Sequence, residues 1–468
     1  MTCRRLRTLC LPAIFSLLPV HEYTKALKHN TYPFRILETF KIIHIHGSRE
    51  VPPETLENIF FAATNLRKVV YRGSDYDVIP GCIFTHPAVT DLTLCKPAIR
   101  HSSPTFACRS LRAFNMFYTG RWARIHKLDA ANFRAERDFI CSQIIASRAS
   151  LEELVLPGET TSLSSLVEAP WPRLRELTLA GAYPEDVDTV PLVDVLCMLP
   201  QLSALALSIA PRRCQTAVYI WPPDLVPARA PALARLIRVS LSFPREDDQI
   251  FSHFPPSLVE LALRDSPRYY NRFSGSWDWR HPSPETEPFE VGQPTPGPLL
   301  TCSGATRVFC AMPAQLRLQR LELVILAGDL DAEMKMYAQI ASTCPHLRIF
   351  ELHRYRPDKS PVVPVAEILQ GLHGLKGLTD LRLYLDFAPF DLRYGLREVF
   401  ENHDKMALLV DATADQVATA LPGLEHVGIL AKLHGNSHRW TTWTLHRGDD
   451  GVLLQKDSEY PQVDMSWI

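Results

Sequence analysis

Leu151-Glu-Glu-Leu154-Val-Leu156, Leu174-Arg-Glu-Leu177-Thr-Leu179 and Leu202-Ser-Ala-Leu205-Ala-Leu207 are three copies of one phrase, L-x-x-L-x-L. A weaker copy follows at Leu236-Ile-Arg-Val239-Ser-Leu241, and Leu258-Val-Glu-Leu261-Ala-Leu263 closes the run. The copies start 23, 28, 34 and 22 residues apart. Recurrence in that range marks a stack of similar units, each unable to bury its apolar face alone. The last two leucines of a copy are two apart, so they leave a short strand on the same face. The first, three residues earlier, packs from the turn that leads in.

A chain this rich in leucine produces roughly one strict triplet by chance. Seven occur, starting at Leu6, Leu151, Leu174, Leu202, Leu258, Leu318 and Leu378. Looser copies, with other apolar residues at the inner places, start at Leu37, Leu66, Val89, Leu111, Leu236, Leu347 and Leu424. Their spread from residue 37 to 430 extends the stack over most of the chain. The motif resembles the strand segment of a leucine-rich repeat. That resemblance implies an α/β fold: an irregular leucine-rich-repeat solenoid with short parallel strands on the concave side and helices or loops on the convex side. In regular repeats an Asn or Cys stands three places after the third leucine, whereas here Glu159, Ala182, Ala210 and Ser266 stand there. The expectation is an uneven stack without an asparagine ladder.

Between the triplets lie segments with apolar residues at helical spacing, at 52–64, 136–149, 190–198, 330–342, 363–372 and 414–420. Pro87, Pro172, Pro200, Pro256, Pro345 and Pro422 stand just before strands, where they end a helix and set up the turn. Two stretches break the rhythm. Residues 264–316 are rich in Pro, Gly and Ser, and are read as a long insertion loop whose Tyr269, Tyr270, Trp277 and Trp279 either pack on the host or bind a partner. A smaller irregular insertion spans Pro211–Pro231. Past Leu430 the triplets stop, and Trp440–Leu445 and Val452–Gln455 read as a C-terminal β-hairpin cap turning at Asp450-Gly451.

The chain has 468 residues, 46% of them hydrophobic, with a formal net charge of −1. No global field therefore favours nucleic acid or anionic lipid. The 11 cysteines form no C-x-x-C pair, and no N-x-[S/T] sequon occurs. Both features fit reduced thiols and a cytoplasmic or nuclear location.

Residues 1–20, MTCRRLRTLCLPAIFSLLPV, carry three competing readings. Basic residues before an apolar run imitate a signal peptide, but Pro12 interrupts the run and no small-x-small cleavage site follows. A transit peptide is a second reading, although the segment is more apolar than amphipathic. Third, Cys3-Arg4-Arg5-Leu6-Arg7 followed by Leu9-Cys10-Leu11-Pro12-Ala13-Ile14-Phe15 resembles the C-R-R-W-R … L-P-x-L-F end of fungal F-box proteins. Leu6 stands where that family has tryptophan, and the opening L-P-x-E helix of an F-box is not represented before Cys3. With the repeats and the hairpin, the whole chain resembles a fungal, basidiomycete-type F-box/leucine-rich-repeat protein. The resemblance implies 1–20 as an F-box remnant, 21–263 and 317–430 as two solenoid segments around the 264–316 loop, and 431–468 as the cap. It also implies substrate recognition in an SCF-type ubiquitin ligase, with a protein substrate and Skp1 as partners. The alternatives are a scaffold with no ubiquitin link and a secreted recognition protein.

No phosphate-binding loop, dinucleotide fingerprint, nucleophile elbow or H-E-x-x-H helix occurs, so neither an enzyme nor a cofactor is expected. His44-x-His46 offers two imidazoles on one strand face but no third ligand nearby. Glu246-Asp247-Asp248 is read as solvated loop charge rather than a cation site, Cys82, Cys95 and Cys108 as small apolar side chains, and Arg447-Gly448-Asp449 as a coincidence within the turn. The third and fifth places of each triplet face the concave side. They supply the candidate partner-binding residues Glu153, Glu176, Arg238, Glu260, Arg320, Glu322, Glu351, Asp380 and Arg382. Signs are mixed, with no Lys/Arg stripe, which points to a protein partner rather than a nucleic-acid groove. No membrane partner is expected.

Overall fold

The computed structural model describes residues 17–19, 41–46, 53–73, 79–95, 99, 107–108, 110–117, 130–210, 218–226, 233–265, 299–314, 316–356, 363–387, 396–434, 437–448 and 451–457. The F-box resemblance at Cys3–Phe15, the loop aromatics Tyr269, Tyr270, Trp277 and Trp279, and Asp449 and Asp450 of the turn lie outside these residues. The chain forms two compact units, with the boundary between Leu202 and Ser203.

The first unit contains β1 (Leu17–Pro19), β2 (Ile42–His46), α1 (Pro53–Ala62), β3 (Lys68–Arg72), α2 (Cys82–Thr85), β4 (Asp91–Cys95), β5 (Ala113–Phe117), α3 (Ala130–Ser147), β6 (Glu153–Pro157), α4 (Leu163–Val167), β7 (Glu176–Ala182) and α5 (Leu192–Cys197). Its strands pair in parallel, each with the next in sequence. Ile43, Val69, Leu92, Phe114, Leu154 and Leu177 thereby form one buried file across the sheet.

The second unit contains β8 (Ala204–Ala210), β9 (Arg238–Ser242), β10 (Glu260–Arg264), β11 (Leu300–Thr301), α6 (Cys302–Ala311), β12 (Arg320–Leu326), α7 (Leu330–Thr343), β13 (Ile349–Tyr355), α8 (Val365–Leu372), β14 (Asp380–Tyr384), α9 (Leu396–Ala420), β15 (His426–His434), β16 (Ser437–Gly448) and β17 (Gly451–Lys456). The strands from β8 to β15 are parallel, with β10 and β11 both pairing with β12. The equivalent file is Leu205, Val239, Leu261, Leu321, Phe350, Leu381 and Val427, again buried throughout. At ~1.5–3 kcal/mol for each apolar side chain taken out of water, these files dominate the stability of both sheets.

Every triplet from Leu66 to Leu424 carries a strand, and its first residue is buried as well. The turn ahead of it explains the prolines. In Cys344-Pro345-His346-Leu347 the Leu347 N–H donates to the Cys344 carbonyl at 3.1 Å, placing Pro345 at the second turn position, where its fixed φ is favourable. Leu258 and Leu424 close equivalent turns over Pro256 and Pro422.

A second regularity joins the repeats. The carbonyl following the first residue of most triplets accepts two N–H bonds from the next repeat: Arg112 O from Glu152 and Glu153 at 2.7 and 3.1 Å, Gln319 O from Arg348 and Ile349 at 2.9 Å each. The same pairing recurs at Lys41, Arg67, Thr90, Glu152, Ser203, Ile237, Val259, Arg348 and Thr379. It also corrects the first copy. Lys41 holds the second place, so the inward pair of β2 is Ile43 and Ile45 rather than Phe40 and Ile42. The triplet begins three residues later than Leu37, because two overlapping apolar patterns fit the template there.

Four further expectations change. Strand β1 lies within the 1–20 segment, where Leu17–Pro19 pairs with β2. Residues 300–311, assigned to the insertion loop, form β11 and α6, whose N-cap is Thr301 accepting from Gly304 N. The sparse apolar content of CSGATRVFCA hid that helix. Helix α9 begins at Leu396, far ahead of the expected 414, because its charged first half lacks a clear apolar stripe. The terminal hairpin pairs Gly448 with Gly451, so Gly451 belongs to β17 rather than to the turn. That hairpin continues β15 through antiparallel β16 and β17. Arg447 Nη2 donates to the carbonyls of Ala418, Leu421 and Leu424 at 3.3, 3.1 and 3.5 Å, capping the end of α9. The arginine of the Arg-Gly-Asp tripeptide is thus a structural cap.

Charged residues also hold the helices and loops in place. Arg354 forks onto both oxygens of Glu333 at 2.9 and 3.1 Å, tying β13 to α7, and the Tyr337 hydroxyl donates to the same carboxylate at 2.7 Å. Burial, and then Glu333, push the Tyr337 phenol well above its ordinary pKa. In the first unit, Glu159 is buried and accepts the Ala182 N–H at 3.1 Å, one repeat further on. A glutamate there performs the backbone-satisfying task of the missing asparagine. Cys95 and Cys108 are buried, and burial raises the Cys82 and Cys108 thiols to about 11 and about 12, consistent with packing side chains.

In the run Glu246-Asp247-Asp248 the first two charges face solvent and the third does not. Glu246 pairs with Arg307, and Asp247 accepts from the Tyr219 hydroxyl at 2.5 Å. Asp248 is buried, and accepts the N–H groups of Ile220, Trp221 and Ile250 at 2.6, 3.0 and 2.9 Å. Desolvation outweighs these donors and raises its pKa to about 6. Between the ordinary value near 3.8 and about 6 the folded chain holds a proton that the unfolded chain releases. Stability contributed by Asp248 is therefore full below the lower value and falls by about 3 kcal/mol as pH rises through the upper one. Urea unfolding across this range should show that fall in the wild type and a flattened profile in Asp248→Asn. An unchanged slope in the variant would contradict the assignment.

Candidate functional site

The strand residues that alternate with the buried files lie on the opposite face of each sheet. In the first unit Glu153 and Glu176 are register partners on β6 and β7. Glu153 accepts from Asn115 Nδ2 at 2.7 Å, and Glu176 is exposed. The two like charges side by side favour a cationic neighbour.

In the second unit the candidates fall into two rows. Arg238, Glu260, Arg320, Ile349 and Asp380 occupy the first row across β9, β10, β12, β13 and β14. All are half-buried, and their charges alternate between neighbours except at Ile349. Opposite charges directly across a strand pair contribute ~0.2–1 kcal/mol each and hold side chains in fixed positions. The second row runs Ser240, Ala262, Glu322, Glu351 and Arg382.

Glu322 and Glu351 depart from the expected partner-facing role. They are 3% and 8% exposed. Glu322 Oε2 accepts Arg264 Nε at 2.8 Å and lies 2.6 Å from Arg264 Nη2. Glu351 Oε1 lies 2.8 Å from His353 Nε2, and its other oxygen is 3.9 Å from Arg382 Nη1. Arg382 is held more closely by Asp380, at 3.1 Å from its Nε. His353 is buried and its ring stands edge-on to Trp440, with ring centroids 6.0 Å apart. Beside it Val324, Tyr355, Tyr384, Leu430 and Trp440 form an apolar cluster, and the Tyr355 hydroxyl donates to Asp265 at 3.0 Å.

Strand length explains why Arg264 and His353 escaped the sequence pattern. The triplet itself defines only the third and fifth places as facing outward, but β13 has seven residues and carries the same face two residues further. Among the described residues, Glu322, Glu351 and His353 are the one group of three or more potential ligands whose donor atoms lie within 4.8 Å of one another. Among the described residues His44 joins no such group. No helix among the described residues is long and apolar enough to cross a membrane.

The Arg264–Glu322 pair is nearly dry, so removing one partner leaves a stranded charge. Arg264→Met should cost about 3–5 kcal/mol in denaturant unfolding, and Arg264→Met with Glu322→Leu should recover most of it. A single-variant cost below about 1 kcal/mol would show that the pair is solvated.

No protein-family model matches the chain, and no curated protein matches it. One solved structure similar to it is the leucine-rich repeat-containing protein LegL7 from Legionella pneumophila, at 10% sequence identity over 84% of each chain, with a TM-score of 0.33. At that level the likeness adds nothing to the evidence of the strand register.

Proposed function

We propose that this chain is an irregular leucine-rich-repeat solenoid acting as a protein-interaction scaffold, with no catalytic activity of its own. One observation carries the reading. The residues opposite the buried files are set at fixed intervals by the strand register, and in the second unit they form an ordered row of alternating charge: Arg238, Glu260, Arg320 and Asp380. A rigid, mixed-sign row selects a partner by electrostatic complementarity, whereas a nucleic-acid groove needs one sign. Glu322 and Glu351 are buried and lie outside this row.

The resemblance at Cys3–Phe15 favours a narrower version, in which the chain recognises a substrate for an SCF-type ubiquitin ligase in the cytoplasm or nucleus and Skp1 is a second partner. The two versions separate experimentally. Proximity labelling with the wild-type chain should mark a set of proteins that a charge-reversed variant (Arg238→Glu, Arg320→Glu, Asp380→Lys) loses, with affinity for each purified partner falling on the order of tenfold or more. Identical labelling by both would remove the row from recognition. Pull-down of purified Skp1 by the wild-type chain supports the adaptor role, and its absence leaves the scaffold alone.

A further inference from the structure

We propose that Glu322, Glu351 and His353 form a binding site for one divalent transition-metal ion, of which Zn2+ is the natural probe. The three side chains come from adjacent strands, with Glu322 and Glu351 in register on β12 and β13 and His353 two residues beyond Glu351 on the same face. All three are more than nine-tenths buried, and their donor atoms lie within 4.8 Å of one another. Two carboxylate oxygens and one imidazole nitrogen make the mixed O/N set that suits Zn2+ and its first-row neighbours rather than Ca2+ or Mg2+.

Charge supplies the second argument. Withdrawing two carboxylates from water costs several kcal/mol each unless positive charge accompanies them. The Arg264 guanidinium accompanies Glu322 at Oε2. Arg382 leans toward Asp380 and stays 3.9 Å from Glu351. Glu351 Oε1 and His353 Nε2 are 2.8 Å apart, close enough to share one ion. A metal ion there brings positive charge to both carboxylates, takes Glu322 as its third ligand and keeps Arg264 as the group that orients it. The wall of Tyr355, Tyr384, Leu430 and Trp440 beside the site lowers the local dielectric and strengthens binding. The site is independent of the partner-binding row, whose half-buried members are not ligands.

The test uses the full chain, freed of metal by chelation and titrated with Co2+ and then Zn2+. The expected result is one equivalent of Co2+ with ligand-field absorption bands, displaced by Zn2+, together with a Zn2+-dependent rise in Tm that Mg2+ does not produce. His353→Gln should weaken binding by more than about 100-fold, because losing even a group that supports a ligand costs about 10–100-fold. His353→Cys should keep binding and add a thiolate-to-cobalt charge-transfer band, which arises only if residue 353 is itself a ligand. Near-UV circular dichroism of each variant monitors folding. Failure of the wild-type chain to bind a stoichiometric ion overturns the proposal, as does undiminished binding in a folded His353→Gln chain.

Discussion

The carbonyl that accepts two N–H bonds from the following repeat is the constraint on which the rest of the structure depends. Wherever it occurs it falls at the same place, one residue past the first apolar residue of the triplet. With that bond pair in place, the next strand can pair in only one register. A slip of one residue would turn its apolar file outward. The files Ile43 to Leu177 and Leu205 to Val427 are buried because the register is the same at each step within a unit. The proline turns ahead of the strands fix the direction from which each chain segment enters. Connections between strands then vary in length without disturbing the sheet, which is how spacings of 22 and 34 residues coexist.

The charged residues divide into two populations with different physics. On the helix side and in the loops they satisfy backbone or bind one another: Arg354 with Glu333, Glu159 with Ala182 N, Arg447 with the end of α9, Asp248 with three amides. Apart from Arg447, which is exposed, these are interior contacts whose loss leaves a buried group unsatisfied, so they define single conformations. On the other face the charges form rows set by the strands. There the outer row remains accessible, and Glu322, Glu351 and His353 are drawn into a dry cluster between Arg264 and an aromatic wall. A protein-binding face and an ion site can therefore share a sheet without sharing residues.

Most of the strand architecture was legible because a period-two apolar pattern has a direct physical cause, and twelve triplets from Leu66 to Leu424 each delivered a strand. Legibility failed where the pattern was degenerate or weak. Two overlapping apolar patterns fit residues 37–45, and the strand buries Ile43 and Ile45 of the later one. The helix at 302–311 is built of small and polar residues, and the first half of α9 is too charged to show a stripe. The candidate face was half legible. The register placed Arg238, Glu260, Arg320 and Asp380 where the triplets put them, but burial of Glu322 and Glu351 depends on Arg264 and His353. Those two lie beyond the triplet, at places where only strand length decides which way a side chain points. Glu159 carried no readable signal, because one glutamate in a turn resembles any other until its acceptor geometry is known.

Amide hydrogen exchange tests the central claim most directly. The paired donors, such as Glu152 with Glu153 and Arg348 with Ile349, include polar residues at the start of strands, where sequence alone gives no reason for protection. The account predicts slow exchange at both amides of each pair, repeat after repeat, at rates matching the buried files beside them. Rapid exchange at these amides, with protection confined to the centres of the strands, would contradict it.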